Sequence, residues 1–201
     1  ERVAEAGREG GAGARLAGGG GRRAGPGRGG LEGAGYRTST SALERGRPPA
    51  RLAVLGTGSV GLELGQMLGD FGAHVTFIAR HRLVPAAEPE GAEVIREVLS
   101  EAGHVVLEHH TTQAVTLEGG SKVLRGVDGG GNAFALRVDE ILHATGRTPN
   151  TDGLALGRAG GTTHHAGHIP APAAQHHNSP GISTLPDATP SRHTTHRPPT
   201  V

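Results

Sequence analysis

The feature that most constrains this 201-residue chain is the run Gly56-Thr57-Gly58-Ser59-Val60-Gly61 in its particular setting. It follows at once on Arg51-Leu52-Ala53-Val54-Leu55, a short apolar run suited to a strand buried on both faces. After it, Val60, Leu64, Met67, Leu68 and Phe71 fall at helical spacing, and Gly72 supplies a stop. Val75-Thr76-Phe77-Ile78-Ala79 is then β-branched and aromatic, as a second strand should be. Strand, glycine turn, helix and strand, in that order and length, predict a βαβ unit. A glycine turn alone would say little in a chain with 36 glycines. Its place between a strand and a helix is what gives it meaning.

The pattern continues. Val94, Ile95, Val98, Leu99 and Ala102 mark a second amphipathic helix, and His104 to Glu108 a third strand. Three shorter alternating runs follow, over 113–118, 122–127 and 133–138. Gly119-Gly120 and residues 128–132 separate them as hairpin turns. A last apolar strand covers 140–144. The expected fold is α/β: a Rossmann-like parallel sheet of βαβ units with an inserted antiparallel meander. The folded domain is expected over 48–152, after a low-complexity start and linker (1–47) and before a His- and Pro-rich tail (153–201).

Composition supports one modest core. Hydrophobic residues make up 34% of the chain, against roughly 45–50% apolar in ordinary globular domains. The first 35 residues hold 14 glycines, and the flanks are predicted to be largely disordered. Gly11-Ala12-Gly13 and Gly18 to Gly21 are not read as phosphate loops, since no strand precedes them and no apolar helical face follows. Residues 1–50 carry nine Arg and five Glu (9 − 5 = +4), whereas 51–157 carry eight basic and thirteen acidic groups (8 − 13 = −5). No aromatic residue interleaves the early arginines before Tyr36, so no nucleic-acid partner is expected. The chain has no cysteine, which excludes disulfides, thiolate metal sites and cysteine nucleophiles. No run of about 18 apolar residues exists, so no membrane span is expected. The start, Glu1-Arg2-Val3, carries no signal pattern and reads as a fragment or an internal start; the expected location is cytoplasmic.

The chemistry of the turn follows from what a dinucleotide brings. Its pyrophosphate must lie close to main-chain N–H groups. Gly56 permits the tight turn out of the strand, Gly58 lets the backbone approach the pyrophosphate, and Gly61 lets the helix pack close to the strand. Thr57, Ser59 and Val60 complete the turn, and the helix N-terminus offers free donors and partial positive charge. The nucleotide is read at the end of the second strand, where NAD sites usually carry an acid. Here the residues are Ala79-Arg80-His81-Arg82, with no acid until Glu88. Arg80 and Arg82 would pair with a 2′-phosphate, so NADPH is favoured over NADH. The competing reading makes both arginines part of a solvated loop.

Residues 30–152 resemble part of the pyridine nucleotide–disulfide oxidoreductase family, and within it the mercuric reductases most. The motifs occur in order: Gly30-Leu31 and Tyr36 to Leu43, the turn and helix from Gly56 to Gly65, Val75 to Leu83, Leu107-Glu108-His109, and Ala144-Thr145-Gly146-Arg147-Thr148-Pro149-Asn150-Thr151. In the family, NADPH reduces a bound FAD, the flavin reduces a cysteine pair, and in mercuric reductases the electrons pass to Hg(II). The resemblance implies that Glu63 orients the nicotinamide near the flavin, with a helix-surface Glu as the alternative. It places Gly146 in the segment returning to the flavin domain. Asp187 matches an Asp that contacts FAD, with Pro186 in place of the family's Gly. His143 stands where the family has an apolar strand residue. The resemblance also implies a homodimer, but the FAD domain, the dimerisation domain and the redox cysteines are absent from this chain. No catalytic residue is therefore assigned, and the chain is expected to be inactive alone. A second reading is a non-catalytic remnant whose tail histidines, His164, His165, His168, His176 and His177, bind metal as imidazole ligands, although their spacing fits no standard zinc site. A third is a chain that has lost its constraints through a damaged reading frame.

Overall fold

The computed structural model describes residues 15–16, 22–24, 29–44, 46–85, 87–149, 151, 162, 167, 169 and 182–183. In chain order these form β1 (Arg15–Leu16), β2 (Arg22–Ala24), α1 (Leu31–Ala34), α2 (Ser39–Leu43), β3 (Arg51–Leu55), α3 (Ser59–Asp70) and β4 (His74–Ile78). There follow α4 (Pro89–Glu101), β5 (Val105–Leu107), β6 (Thr111–Glu118), β7 (Ser121–Val127), β8 (Ala133–Val138), β9 (Glu140–His143), β10 (Arg147–Pro149) and β11 (Ile182–Ser183). Two units separate: residues 24–146, and residues 1–23 together with 147–201. In the latter, β1 pairs in parallel with β11, and the Thr151 hydroxyl donates to the Gly167 carbonyl at 2.7 Å. These pairings fall within flanks expected to be largely disordered; the two early glycine runs lie outside the described residues.

The larger unit is a four-stranded parallel sheet in the order β5-β4-β3-β9, with a three-stranded antiparallel sheet β6-β7-β8 inserted before β9. Strand alternation explains why both faces of the parallel sheet are covered. Leu52, Val54, Val75, Phe77 and Leu142 point into a core shared with Leu62 and Leu68 of α3 and Leu99 of α4. Their neighbours Ala53, Leu55, Ile78 and Ile141 point the other way, against Val115, Leu124 and Val138 of the meander. β3 thus reads as continuously apolar because each of its sides meets a different layer. The Gly119-Gly120 turn has φ of +58° and +80°, so the hairpin closes through two left-handed residues that pair Glu118 with Ser121. In the next turn the Asp128 carboxylate accepts from the amides of Gly130 and Asn132, both at 2.8 Å.

The larger unit, which opens at Ala24, also takes in residues ahead of the domain expected over 48–152. Leu31 is 2% exposed and belongs to the meander-side core. The Arg37 amide donates to the Ile141 carbonyl at 2.7 Å, and the His143 amide donates to the Arg37 carbonyl at 2.8 Å. Residue 37 thereby continues the sheet beyond β9. A Thr38–Ser41 capping box starts α2, whose Ala42 reaches the helix-side core. The main-chain part of this attachment leaves no hydrophobic period in the sequence.

A buried ionic cluster fastens the same pieces. The Glu140 carboxylate, at the start of β9, accepts from Arg37 Nε at 3.1 Å and from the Lys122 ammonium of β7. Burial pushes this carboxyl up, but hydrogen bonds from Lys122, the Ile141 amide and Arg37, with the Lys122 charge, outweigh that and hold it below its usual range.

Candidate functional site

The glycine turn lies at the carboxyl ends of β3 and β9. From β3 the chain crosses through α3 to β4 on one side, while β9, on the other side, is reached from the meander. This is a topological switch point, where open α/β sheets form their ligand crevice. Each glycine of the turn has a distinct geometric reason. Gly56 has φ +97°, and a Cβ there would lie 2.5 Å from the Ala144 carbonyl oxygen. Only glycine takes that conformation without strain. Its amide donates to the Ile78 carbonyl at 3.1 Å, which ties the turn to β4. A Cβ at Gly61 would lie 2.1 Å from the Gly56 carbonyl oxygen, so the first turn of α3 rests directly on the loop. A Cβ at Gly58 would meet nothing within 4 Å. Its bare side faces open space, the one arrangement of the three that leaves room for a ligand.

Gly58 is the N-cap of α3 and offers no side-chain acceptor, and the first helical turn carries no acidic residue. The Leu62 amide donates back to the Gly58 carbonyl at 3.0 Å, starting the helical ladder. The amides of Ser59, Val60 and Gly61 precede that ladder and point out of the helix end. With the macrodipole they make the start of α3, capped by Gly58, suited to an anion. Thr57, between Gly56 and Gly58, is 5% exposed. One turn deeper, a Cβ at Gly65 would lie 2.3 Å from the buried Phe77 ring, so this glycine sets the close approach of α3 to β4.

The remaining expected site residues are placed as follows. Glu63 is exposed on α3, and Arg80 is exposed in the loop after β4, one residue beyond Ala79. Arg82 is half-buried, and its guanidinium donates to the Pro85 and Ala87 carbonyls at 3.1 and 2.5 Å. It therefore shapes the loop after β4, leaving Arg80 as the arginine presented to solvent. That loop is pinned further by Leu83, fully buried, whose amide donates to the Glu108 carboxylate. Arg96 of α4 clamps the same carboxylate through Nε at 3.1 Å and Nη2 at 2.8 Å. Val84 takes φ +42°, a left-handed value uncommon for a β-branched residue, in the middle of this clamp. Gly146 is exposed past the end of β9, with open space where a Cβ would be. Asp187 and the tail histidines lie outside the described residues; among the described residues no cluster could hold a metal ion.

Two residues beside the cradle were not assigned a role from sequence. His143, the last residue of β9, is 5% exposed, and its Nε2 lies 2.7 Å from the Thr145 hydroxyl. Thr145 falls within the Ala144–Thr151 motif, but the pairing with His143 has no sequence mark beyond the exchange of an apolar strand residue for histidine.

Comparison with known proteins agrees with this geometry. The sequence profile of the pyridine nucleotide-disulphide oxidoreductase family matches residues 15–200. The chain is 41% identical over 135 residues to a mercuric reductase of Staphylococcus aureus, covering 67% of this chain and 24% of that protein. It is 38% identical over 143 residues to a dihydrolipoyl dehydrogenase of Thermus scotoductus, covering 69% of this chain and 31% of the other. The chain thus spans about a quarter of the length of the mercuric reductase it matches. Among solved structures, the HOCl-induced flavoprotein disulfide reductase RclA of Escherichia coli superposes with a TM-score of 0.77 at 23% identity, over 87% of this chain and 39% of that one. That likeness concerns the fold. A profile match over most of the chain and relatives at this level of identity lead to one conclusion: the chain belongs to the pyridine nucleotide-disulphide oxidoreductase family, an oxidoreductase family in which it is similar to mercuric reductases.

Proposed function

We propose that residues 48–152 are the NADPH-binding domain of an FAD-dependent oxidoreductase of the mercuric-reductase kind. The observation that carries this reading is the cradle. Gly56 is left-handed, Gly61 lies under the Gly56 carbonyl, and Gly58 opens onto space at the start of α3, whose first turn has no side-chain cap. The backbone from Gly56 to Gly61 would hold the pyrophosphate. Arg80, exposed at the end of β4, would pair with the 2′-phosphate and disfavour NADH. Glu63, by family resemblance, would help orient the nicotinamide, and Gly146 would leave the crevice wall open where β9 ends. NADPH supplies a hydride when bound; this chain's residues hold and orient it.

The onward acceptor is a matter for other parts of the protein. The family's flavin and thiol pair are needed to pass electrons to Hg(II) as substrate, and this chain has no cysteine. It is expected to act within a cytoplasmic holoenzyme. Among the described residues no helix is long and apolar enough to cross a membrane. Calorimetric titration of the chain with NADPH and NADH tests the binding role. The expected result is tighter binding of NADPH, with the NADPH/NADH affinity ratio falling about 10- to 100-fold in Arg80→Glu, as loss of a charge-assisted contact implies. An unchanged ratio would remove Arg80 from the site. Mercury-dependent NADPH oxidation by the chain with added FAD would overturn its proposed dependence on further parts.

A further inference from the structure

The imidazole of His143 is a buried polar group at the end of β9. It sits on the meander side of the sheet, edge-on to the Tyr36 ring at a centroid distance of 5.2 Å. Nε2 meets the Thr145 hydroxyl, while Nδ1 is buried and has no hydrogen-bond partner among the described residues. Of the two neutral tautomers, the Nδ1–H form would bury an unpaired donor. The Nε2–H form leaves only a bare lone pair, the less costly defect. In that form Nε2 donates to Thr145 Oγ1, and the exposed Thr145 keeps its own proton free to donate elsewhere.

The loop that this bond holds is the one against which the glycine turn packs. The Ala144 amide donates to the Leu55 carbonyl at 2.8 Å. The missing side chain of Gly56 leaves room for the Ala144 carbonyl and for Thr145 Cα, which a Cβ would approach to 2.5 and 3.0 Å. We propose that His143 is a positioning residue for the nucleotide site: through Thr145 it fixes the exit of β9 against the Gly56 turn, and protonation of the imidazole releases that hold. The assignment of the turn as a nucleotide site rests on the function proposed above; the latch itself rests on the geometry of the free chain.

Protonation acts through Nδ1, because a proton there finds no acceptor. The groups facing the ring are few. Glu32 on α1 favours the cation by its charge, whereas burial, the larger effect, pushes the imidazole below its ordinary 6.5. Tyr36 stays a neutral phenol, its hydroxyl donating to Glu32 at 3.2 Å. The neighbouring Arg37 guanidinium is committed to Glu140. In acid, a charged ring with no acceptor at Nδ1 is drawn out of its pocket towards water, and that movement breaks the Thr145 bond.

The test uses the full 201-residue chain. A ¹⁵N-resolved titration should show His143 protonating below pH 6.5, with the amides of Gly56, Thr145 and Gly146 shifting in step. In His143→Val, a strand-compatible apolar replacement, those amides should lose this response. Amides that stay still while His143 titrates would overturn the latch, whatever the nucleotide does. NADPH affinity is then compared between wild type and His143→Val across the same pH range, so that titration of the nucleotide's own phosphate cancels. Wild type should weaken relative to the variant by about threefold to tenfold, the worth of one ordinary hydrogen bond. Thr145→Val should be weakened at neutral pH, and Thr145→Ser should restore binding. Moving amides with no measurable NADPH binding at any pH would remove the nucleotide reading and leave the latch standing. Parallel pH profiles of wild type and variant would remove the link between the latch and binding.

Discussion

Replacing Gly58 by alanine separates binding from stability. Gly58 has φ −77° and ψ 178°, which alanine adopts freely, and its Cβ would meet no protein atom within 4 Å. Removing a glycine from the unfolded ensemble stabilises by about 0.4–1 kcal/mol. Alanine is the poorer N-cap by about 0.5–1 kcal/mol. The two effects oppose one another at similar size, so the melting temperature should move by no more than about 3 °C. Binding should behave otherwise. A pyrophosphate oxygen hydrogen-bonded to the amides that follow sits roughly 3 Å from their nitrogens, in the space the new methyl group would occupy. Loss of one charge-assisted hydrogen bond costs about 1.5–3 kcal/mol, or about 10- to 100-fold in affinity. Thermal melts and calorimetric NADPH titration of Gly58→Ala read the two quantities separately. A variant that melts normally and binds NADPH within twofold of wild type would refute the idea that Gly58 faces the pyrophosphate.

Other perturbations should behave differently. Gly61→Ala places a methyl 2.1 Å from the Gly56 carbonyl oxygen, so it should cost about 1–3 kcal/mol of stability despite alanine's better helix propensity, as denaturant midpoints would show. Glu140→Gln leaves Lys122 and Arg37 without their carboxylate and should destabilise by about 3 kcal/mol, the lower end for breaking a buried pair because Arg37 is partly in water. Since the folded carboxyl is held below its ordinary 4.5, its contribution is complete above that value and lost as pH falls through the lower folded value; urea denaturation against pH should show that loss in wild type and a flatter profile in Glu140→Gln. His104 is pushed below 6.5 by burial and by His74, against the pull of Asp70. The unfolded chain therefore takes up this proton first, and stability should fall as pH drops below 6.5 towards the folded value. His104→Leu, which also removes a buried Nδ1 without a partner among the described residues, should reduce that slope.

The parts of the fold legible in the sequence were those with a period. β3 and β8 run over the residues their patterns indicated, and α3, β4 and β9 end within a residue of expectation. The Gly119-Gly120 turn was legible because two adjacent left-handed residues demand glycine. α4 begins five residues before the first apolar residue of its pattern, since Pro89 and Glu90 open it through helix-start chemistry rather than hydrophobicity. The attachment of residues 29–44 was hidden because it depends on main-chain pairing at Arg37 and on one buried leucine, Leu31. At the site, the left-handed turn at Gly56, the open side of Gly58 and the close packing at Gly61 are geometry that the spacing, set between a strand and a helix, anticipates. The division of labour between Arg80 and Arg82 could not, because carbonyl acceptors at Pro85 and Ala87 carry no sequence signature. His143 reads as a polar residue at an apolar strand position, because its contacts with Thr145 and Tyr36 carry no sequence signature.

The account turns on whether the Gly56–Gly61 turn receives a dinucleotide, and amide chemical-shift mapping of the ¹⁵N-labelled chain during addition of NADPH addresses this most directly. The account predicts saturable shifts that are largest at Gly58, Ser59, Val60 and Gly61, with a second group at Arg80. Those at Arg80 should be smaller with NADH. An absence of shifts at saturating NADPH, or shifts centred away from the start of α3, would contradict it.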